Sequence, residues 1–166
     1  MKIFIGSDHA GFELKNKLVE YLKSSGHDVS DFGAHKYDEG DDYPDFVAPV
    51  AQAVAKEPAG SRGIILGGSG QGEAICANRF SGVRAVVFYG NPERSDLFED
   101  SKSDLIKLSR EHNDANILSL GARFLDFETA VRATDAWLNT AFSGEERHLR
   151  RIKKIDGRKQ LLVSNQ

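Results

Sequence analysis

Short apolar runs alternate along this chain with stretches in which apolar residues recur every three or four positions. Lys2–Gly6 is a β-rich run ended by glycine. After it, Leu14, Leu18, Val19 and Leu22 fall at offsets of four, five and eight, on one helix face, and Ser25–Gly26 stops the pattern. His27–Phe32 predicts a second strand, and the polar stretch 33–42, with Gly33 and Gly40, predicts a loop. Asp42–Tyr43–Pro44 predicts a helix start, since proline is tolerated in a first turn, and Val47, Val50, Ala51 and Val54 give that helix its buried stripe. Gly63–Leu66 (GIIL) is continuously apolar, as in a strand covered on both faces. It runs into GGSGQGE (67–73) and a helix from about Glu73 to Arg79. Val83–Tyr89 predicts another strand, and the charged stretch 91–101 a surface insertion. A helix to about Glu111 and a strand near Asn116–Leu120 follow. Phe127, Ala130, Val131, Thr134, Trp137 and Leu138 mark a long amphipathic helix, and a basic helix begins near Glu146.

Alternating strands and helices imply βαβ units, a parallel sheet and helices on both faces. No internal repeat or linker divides the chain. In open sheets of this kind ligands bind beyond the carboxyl ends of the strands. The glycine-marked turns 6–11 and 67–72 both follow strands and should share that edge.

Composition narrows the picture. The 166 residues suit one domain with one core. A net charge of -3 gives no reason to expect nucleic acid or an anionic membrane as partner. Locally the sign reverses: Arg147, His148, Arg150, Arg151, Lys153 and Lys154 crowd together, as expected for a small anionic ligand or an exposed tail. The single cysteine, Cys76, allows no disulfide within the chain and suits a reducing compartment. The N-terminus is too short and polar for a signal peptide, and no apolar run approaches the ~18 residues of a membrane helix. A cytoplasmic location is expected.

Several segments can carry chemistry. The four glycines of GGSGQGE let the backbone approach a ligand closely, and the helix behind them offers unpaired N–H groups. Such a loop can hold a phosphate or an oxyanion, or be a plain strand-to-helix turn. It lacks the Lys-Ser or Lys-Thr of a Walker loop and the spacing of a dinucleotide fingerprint. Glu73 is either a first-turn acid favoured by the helix dipole or a general base beside an oxyanion hole. Asp8 and His9, after the first strand, are a helix cap or a site pair. His112 lies among Arg110, Glu111, Asn113, Asp114 and Asn116, where an asparagine cap accounts for Asn113 or Asn116 but not for the rest. Arg147 and Arg151, four apart, share a helix face and form either a phosphate clamp or a solvated surface. Cys76 and Trp137 read as core.

Taken together, GSDHAGFELK (6–15), DYPDFV (42–47), IILGGSGQGEAICANRF (64–80), GVRAVV (82–87), SREHNDANILSLGAR (109–123), AWL (136–138) and GEERHLRRI (144–152) resemble, in order and spacing, the type B ribose-5-phosphate isomerases and the related galactose-6-phosphate isomerase subunits. The resemblance runs from about Lys2 to Ile155. It implies an α/β fold, a Rossmann-like three-layer αβα sandwich around a parallel sheet of about five strands. It implies an aldose–ketose isomerase of the pentose phosphate pathway without metal or cofactor. It also implies homodimers, in some members paired into tetramers, with sites shared between subunits.

The resemblance further implies a role for each matching residue. Glu73 would be the base that shuttles a proton between C1 and C2. A second branch of the family uses a cysteine just before the glycine loop; here that position is Gly67, which excludes the thiol mechanism. Main-chain amides of Ser69, Gly70 and Gly72, with Gly68 in the same loop, would hold the enediolate. Asp8 would bind sugar hydroxyls and Tyr43 would lie near the sugar. His112, with Asn113 beside it, would reach in from the partner subunit and open the furanose ring. His9, Arg123, Arg147 and Arg151 would hold the phosphate. The sequence departs from the family pattern in a charged insertion around 91–108, which bears on which sugar is used. A six-carbon sugar phosphate such as galactose 6-phosphate or allose 6-phosphate is the alternative substrate. A non-catalytic phospho-ligand module is the alternative from another class.

Overall fold

The computed structural model describes residues 1–90 and 104–163, with side chains followed as far as residue 157. Among these residues are five strands and six α-helices, alternating up to α5, with one short 3-10 turn: β1 (Lys2–Ser7), the turn His9–Gly11, α1 (Phe12–Ser24), β2 (Asp28–Asp31), α2 (Pro44–Lys56), β3 (Ser61–Gly67), α3 (Gln71–Ala77), β4 (Ala85–Phe88), α4 (Leu105–Asn113), β5 (Ile117–Gly121), α5 (Phe127–Asn139) and α6 (Glu146–Val163). The strands form one parallel sheet in the order β2-β1-β3-β5-β4. Of the expected insertion, residues 91–103 lie outside the described residues; Asp104 caps α4 through Ile106 N and Lys107 N, and 105–108 are its first turn.

The sheet separates two apolar layers. Side chains alternate across a strand, so neighbours along the chain go to opposite faces. Ile3, Ile5, Ile64, Leu66, Leu118 and Leu120 pack under α1, α4 and α5, with Leu18, Leu22, Ile106, Ala130 and Trp137. Phe4, Ile65 and Ile117 face the other way, against Val47, Val50, Ala51 and Val54 of α2 and Ala77 of α3. This two-sided cover is what the unbroken GIIL run of β3 anticipates.

Strand order decides where a ligand can sit. The chain winds from β1 outward to β2, then crosses back so that β3 lies on β1's other side. The connections leaving β1 and β3 therefore part in opposite directions and open a crevice at the carboxyl ends. Both glycine turns meet there, as their positions predict. The 33–42 loop is stitched to the same edge, with Ser7 N–H donating to Gly33 O at 2.7 Å and Ala34 N–H to Ser7 O at 2.6 Å. Behind it lies a buried ion pair: Lys15 Nζ, with no exposed side-chain surface, donates to Asp31 Oδ2 at 2.6 Å. The other Asp31 oxygen accepts Gly33 N–H at 2.9 Å.

One core expectation holds, and two other readings are refined. Trp137 is fully buried, whereas Cys76 is half-buried, because its turn of α3 also carries Ile75 into solvent. Asn116 is not a helix cap. Asp114, with φ of 44°, ends α4, and the Asn116 side chain instead accepts from Arg84 N and donates to Gly82 O, tying β4 to β5.

Candidate active site

A cavity of about 330 Å³ opens in the β1/β3 crevice. Asp8, His9 and Ala10 come to it from β1, Gly68, Ser69, Gly72 and Glu73 from β3, Tyr43 from the start of α2, and Arg123 and Phe124 from the end of β5. All but Ala10 and Phe124 are residues singled out by sequence. Gly70, in the same loop, is not among the lining residues: its φ of 76° makes the turn, and Ser119 Oγ donates to its carbonyl at 2.7 Å.

The glycines make room for particular neighbours. A Cβ on Gly67 would run into the Glu73 carboxylate. One on Gly68 would press on the Arg123 guanidinium at 3.2 Å, and one on Gly72 on the Tyr43 ring at 2.9 Å. The loop is therefore a floor against which three of the site's side chains lie. Ala122 N–H and Arg123 N–H donate to Gly67 O and Gly68 O at 2.8 and 3.1 Å, which fixes the segment carrying Arg123 over it. Ser69 Oγ accepts Gln71 N–H at 3.3 Å, which ties its hydroxyl into the turn that opens α3, where first-turn amides have no partner within the helix.

Glu73 is 4% exposed. Burial pushes its carboxyl above the ordinary range, Asp8's charge adds to this, and its own backbone N–H partly offsets it. A carboxylate so placed is a stronger base than one in water, and it lies beside backbone donors that can take up negative charge.

Asp8 caps and faces the cavity at once. Its Oδ1 accepts Ala10 N–H and Gly11 N–H at 3.0 and 3.3 Å, which leaves Oδ2 for a ligand. His9 is held from the 33–42 loop by Asp41, whose Oδ1 accepts its backbone N–H at 3.0 Å and lies 2.7 Å from ring Nδ1. That hydrogen bond, more than any other contact, raises the His9 pKa above 6.5. Asp8, His9 and Asp41 bring ligand atoms within 4.8 Å of one another, a spacing a metal ion could use. The 2.7 Å contact, however, is one that a proton on Nδ1 makes.

The remaining sequence candidates are elsewhere in the chain. His112 and Asn113 end α4, just before β5 begins, and so lie at the amino edge of the sheet. The five residues of β5, about 3.3 Å each and so about 16 Å together, separate them from the glycine loop. Arg147 and Arg151 stand on α6, which packs on α4. His112 stacks on His148, with centroids 4.3 Å apart and planes 12° from parallel. Arg147 Nε meets Glu145 Oε2 at 2.8 Å, and Arg151 is exposed. Arg84 braces this half, donating to Asn113 O, Asp114 Oδ2 and Asp156 Oδ2. One chain thus carries two groups of candidates on opposite edges of one sheet.

Sequence reading missed Asp41 and gave no role to His148. Asp41 sits in an acidic stretch 32 residues from its partner, so only the fold reveals the pairing. His148 is 2% exposed, although its neighbours along α6 face solvent. Its place in a basic run hid that. Burial first, then His112 and Arg147, lower its pKa. Arg110 turns out to be structural: 3% exposed, it donates to Ala115 O, Asp114 Oδ1 and Thr140 O.

The family model of the ribose/galactose isomerases matches residues 3–155. The chain is 40% identical over 152 residues to ribose-5-phosphate isomerase B of Mycobacterium tuberculosis, covering 92% of this chain and 86% of that protein. It is 39% identical over 154 residues to the Escherichia coli protein of the same name, covering 93% of each. Among solved structures, ribose-5-phosphate isomerase B of Clostridium thermocellum superposes with a TM-score of 0.83 at 41% identity, over 98% of this chain and 99% of that one. The Mycoplasma genitalium enzyme, solved with bound ribulose-5-phosphate, superposes with a TM-score of 0.84 at 36% identity, over 96% of each chain.

Proposed function

The chain belongs to the ribose/galactose isomerase family, and from that premise we propose that it is an aldose–ketose isomerase interconverting ribose 5-phosphate and ribulose 5-phosphate. The observation that carries the reading is the buried Glu73 carboxylate set against the glycine loop in the β1/β3 crevice. Relatives named for this reaction, one of them solved with ribulose-5-phosphate bound, support the choice of sugar.

In the proposed mechanism Glu73 takes the C2 proton of the open-chain aldose and returns it to C1. The oxygen-bound proton passes from O2 to O1, and the ketose results. The charge on oxygen in the cis-enediolate is met by the amides of Ser69, Gly70 and Gly72, which hold a fixed geometry and need not reorganise. Asp8 Oδ2 accepts from a sugar hydroxyl, and Tyr43 closes the side of the sugar. His9 and Arg123 meet the phosphate. The ring-opening His112, Asn113 beside it, and the phosphate-holding Arg147 and Arg151 come from a partner subunit, since in their own chain they occupy the opposite sheet edge. Remote phosphate contacts supply binding energy without touching the reacting carbons. The protein then works as a homodimer with sites shared between subunits, as one sugar-phosphate isomerase domain per chain, and in the cytoplasm. Among the described residues no helix is long and apolar enough to cross a membrane.

The test is isomerisation by the purified chain of ribose 5-phosphate in parallel with galactose 6-phosphate and allose 6-phosphate. Turnover of the pentose phosphate, lost in Glu73→Gln, is the expected result. Turnover of a hexose phosphate alone keeps the mechanism and reassigns the substrate. Binding without turnover overturns the enzymatic reading.

A further inference from the structure

We propose that Asp41 is a positioning residue for His9: its carboxylate clamps the Nδ1 side of the ring, leaving Nε2–H as a cationic donor for the anionic end of the substrate. This rests on the reading of His9 as a phosphate contact. It goes beyond that reading by naming what makes His9 fit for the task.

The geometry is a double clamp. One oxygen, Asp41 Oδ1, receives both the backbone N–H of His9 at 3.0 Å and its ring Nδ1 at 2.7 Å. The carboxylate is only 10% exposed, and Oδ2 is buried without a hydrogen-bond partner. A carboxylate so poorly solvated needs a counter-charge, and the imidazole held against it is the group in place to give one. Tyr37, from the same loop, meets the His9 ring edge-on at 6.4 Å and limits its tilt.

The chemistry follows from the tautomers. A neutral His9 donating from Nδ1 to Asp41 has a bare lone pair on Nε2, which repels a phosphate oxygen. With a proton kept on Nδ1 for Asp41, only the imidazolium offers Nε2–H as well. A sugar phosphate is largely dianionic above its second pKa of about 6. A histidine of ordinary pKa would lose its proton over the range in which the phosphate gains its full charge. The Asp41 hydrogen bond moves the loss of that proton upward, toward that range. The other groups around His9 come from several elements. Asp8, next to it in the chain, favours the charged ring, and Arg123, after β5, opposes it. Glu13 and Lys17 on α1 and Asp126 at the start of α5 line the adjoining cavity that His9 shares. The largest single influence on the ring's charge is the Asp41 hydrogen bond, which acts against the ring's own burial and Arg123.

The experiment has three arms. In the unaltered protein, the His9 ring C2 proton is followed by NMR against pH. A midpoint above 6.5 is expected, and one at or below it overturns the proposal without any variant. In Asp41→Asn, which keeps an oxygen for both contacts but loses the charge, that midpoint should fall. At pH 8 the KM for ribose 5-phosphate and the inhibition constant of inorganic phosphate should both rise about tenfold or more. The loss should fall on KM more than on kcat, shrink toward pH 6, and be partly rescued in Asp41→Glu. An unchanged midpoint with unchanged pH dependence overturns the role of Asp41. In His9→Gln the same two constants should rise at every pH. If they stay put, His9 does not meet the phosphate, and the reading beneath the proposal falls with it. If they rise while Asp41→Asn matches the parent, only the Asp41 proposal falls.

Discussion

The Glu73 carboxylate occupies the space that a side chain at Gly67 would need. Strand end and helix start share one pocket of volume, and only one of them can fill it. Gly67→Ala should therefore displace the carboxylate from the loop. Overpacking of this kind costs about 1–3 kcal/mol. We expect kcat for ribose 5-phosphate to fall about 100-fold, the scale of a misplaced general base, with a modest loss in Tm. A Gly67→Ala protein with parental kcat would mean that the base acts from another position.

Glu73→Gln separates catalysis from stability. Turnover should drop by about 10²–10⁴, the share usually carried by a positioned base. The fold should not suffer. A carboxyl whose folded pKa is raised favours the protonated folded state, so stability declines as pH climbs from 4.5 through the raised value. Removing the charge removes that decline, and the variant should melt no lower than the parent at pH 8. The same sign governs activity. Glu73 must be ionised to accept a proton, so kcat in the parent should rise with pH along a limb lying above the ordinary glutamate range. A limb at or below 4.5 would take Glu73 out of the role.

His112 and Glu73 can be tested in trans. If each site draws one from either chain, Glu73→Gln and His112→Asn proteins, each inactive alone, should regain activity when unfolded and refolded together. Random pairing in a two-fold dimer gives one intact site in each mixed pair, hence about a quarter of the parental activity. No recovery from a mixture shown by mass spectrometry to contain mixed pairs would place both residues in one subunit's site.

The Lys15–Asp31 pair should be asymmetric to mutation. Asp31→Ala strands a fully buried ammonium and frees the Gly33 amide. The expected cost is about 3–5 kcal/mol, read by urea denaturation. Lys15→Met leaves a half-buried carboxylate that can still reach solvent, and should cost clearly less. Equal losses would indicate that the pair contributes only as packing.

Strands were the most legible part of the chain. GIIL could hardly be anything but a central strand, and β1 and β5 lie within two residues of the runs that predict them. The half of the site on the carboxyl edge was also legible, because glycines with a following Glu73, and Asp8–His9 after β1, are local patterns. What escaped sequence reading is contact between distant segments. Asp41 is one acid among several in a polar loop until the loop folds over β1. Arg110 resembles a site residue because it neighbours His112, yet its guanidinium is spent on carbonyls around Trp137. Cys76 reads as core because a free cysteine behaves as a small apolar residue, and it does pack on the α2–α3 layer, but at the margin of α3 where it is only half-buried.

The division of candidates between two edges of the sheet has a geometric corollary. On the reading given above, one chain holds the reacting carbons while its neighbour grips the far end of the sugar with Arg147 and Arg151. The length of the substrate is then gauged by the docking of two bodies, not by any single pocket wall. A small change in the angle at which subunits meet would lengthen or shorten that gauge by a carbon, with every residue around Glu73 left as it is. Selectivity among sugar phosphates would, on this view, be written into the packing of α4 and α6.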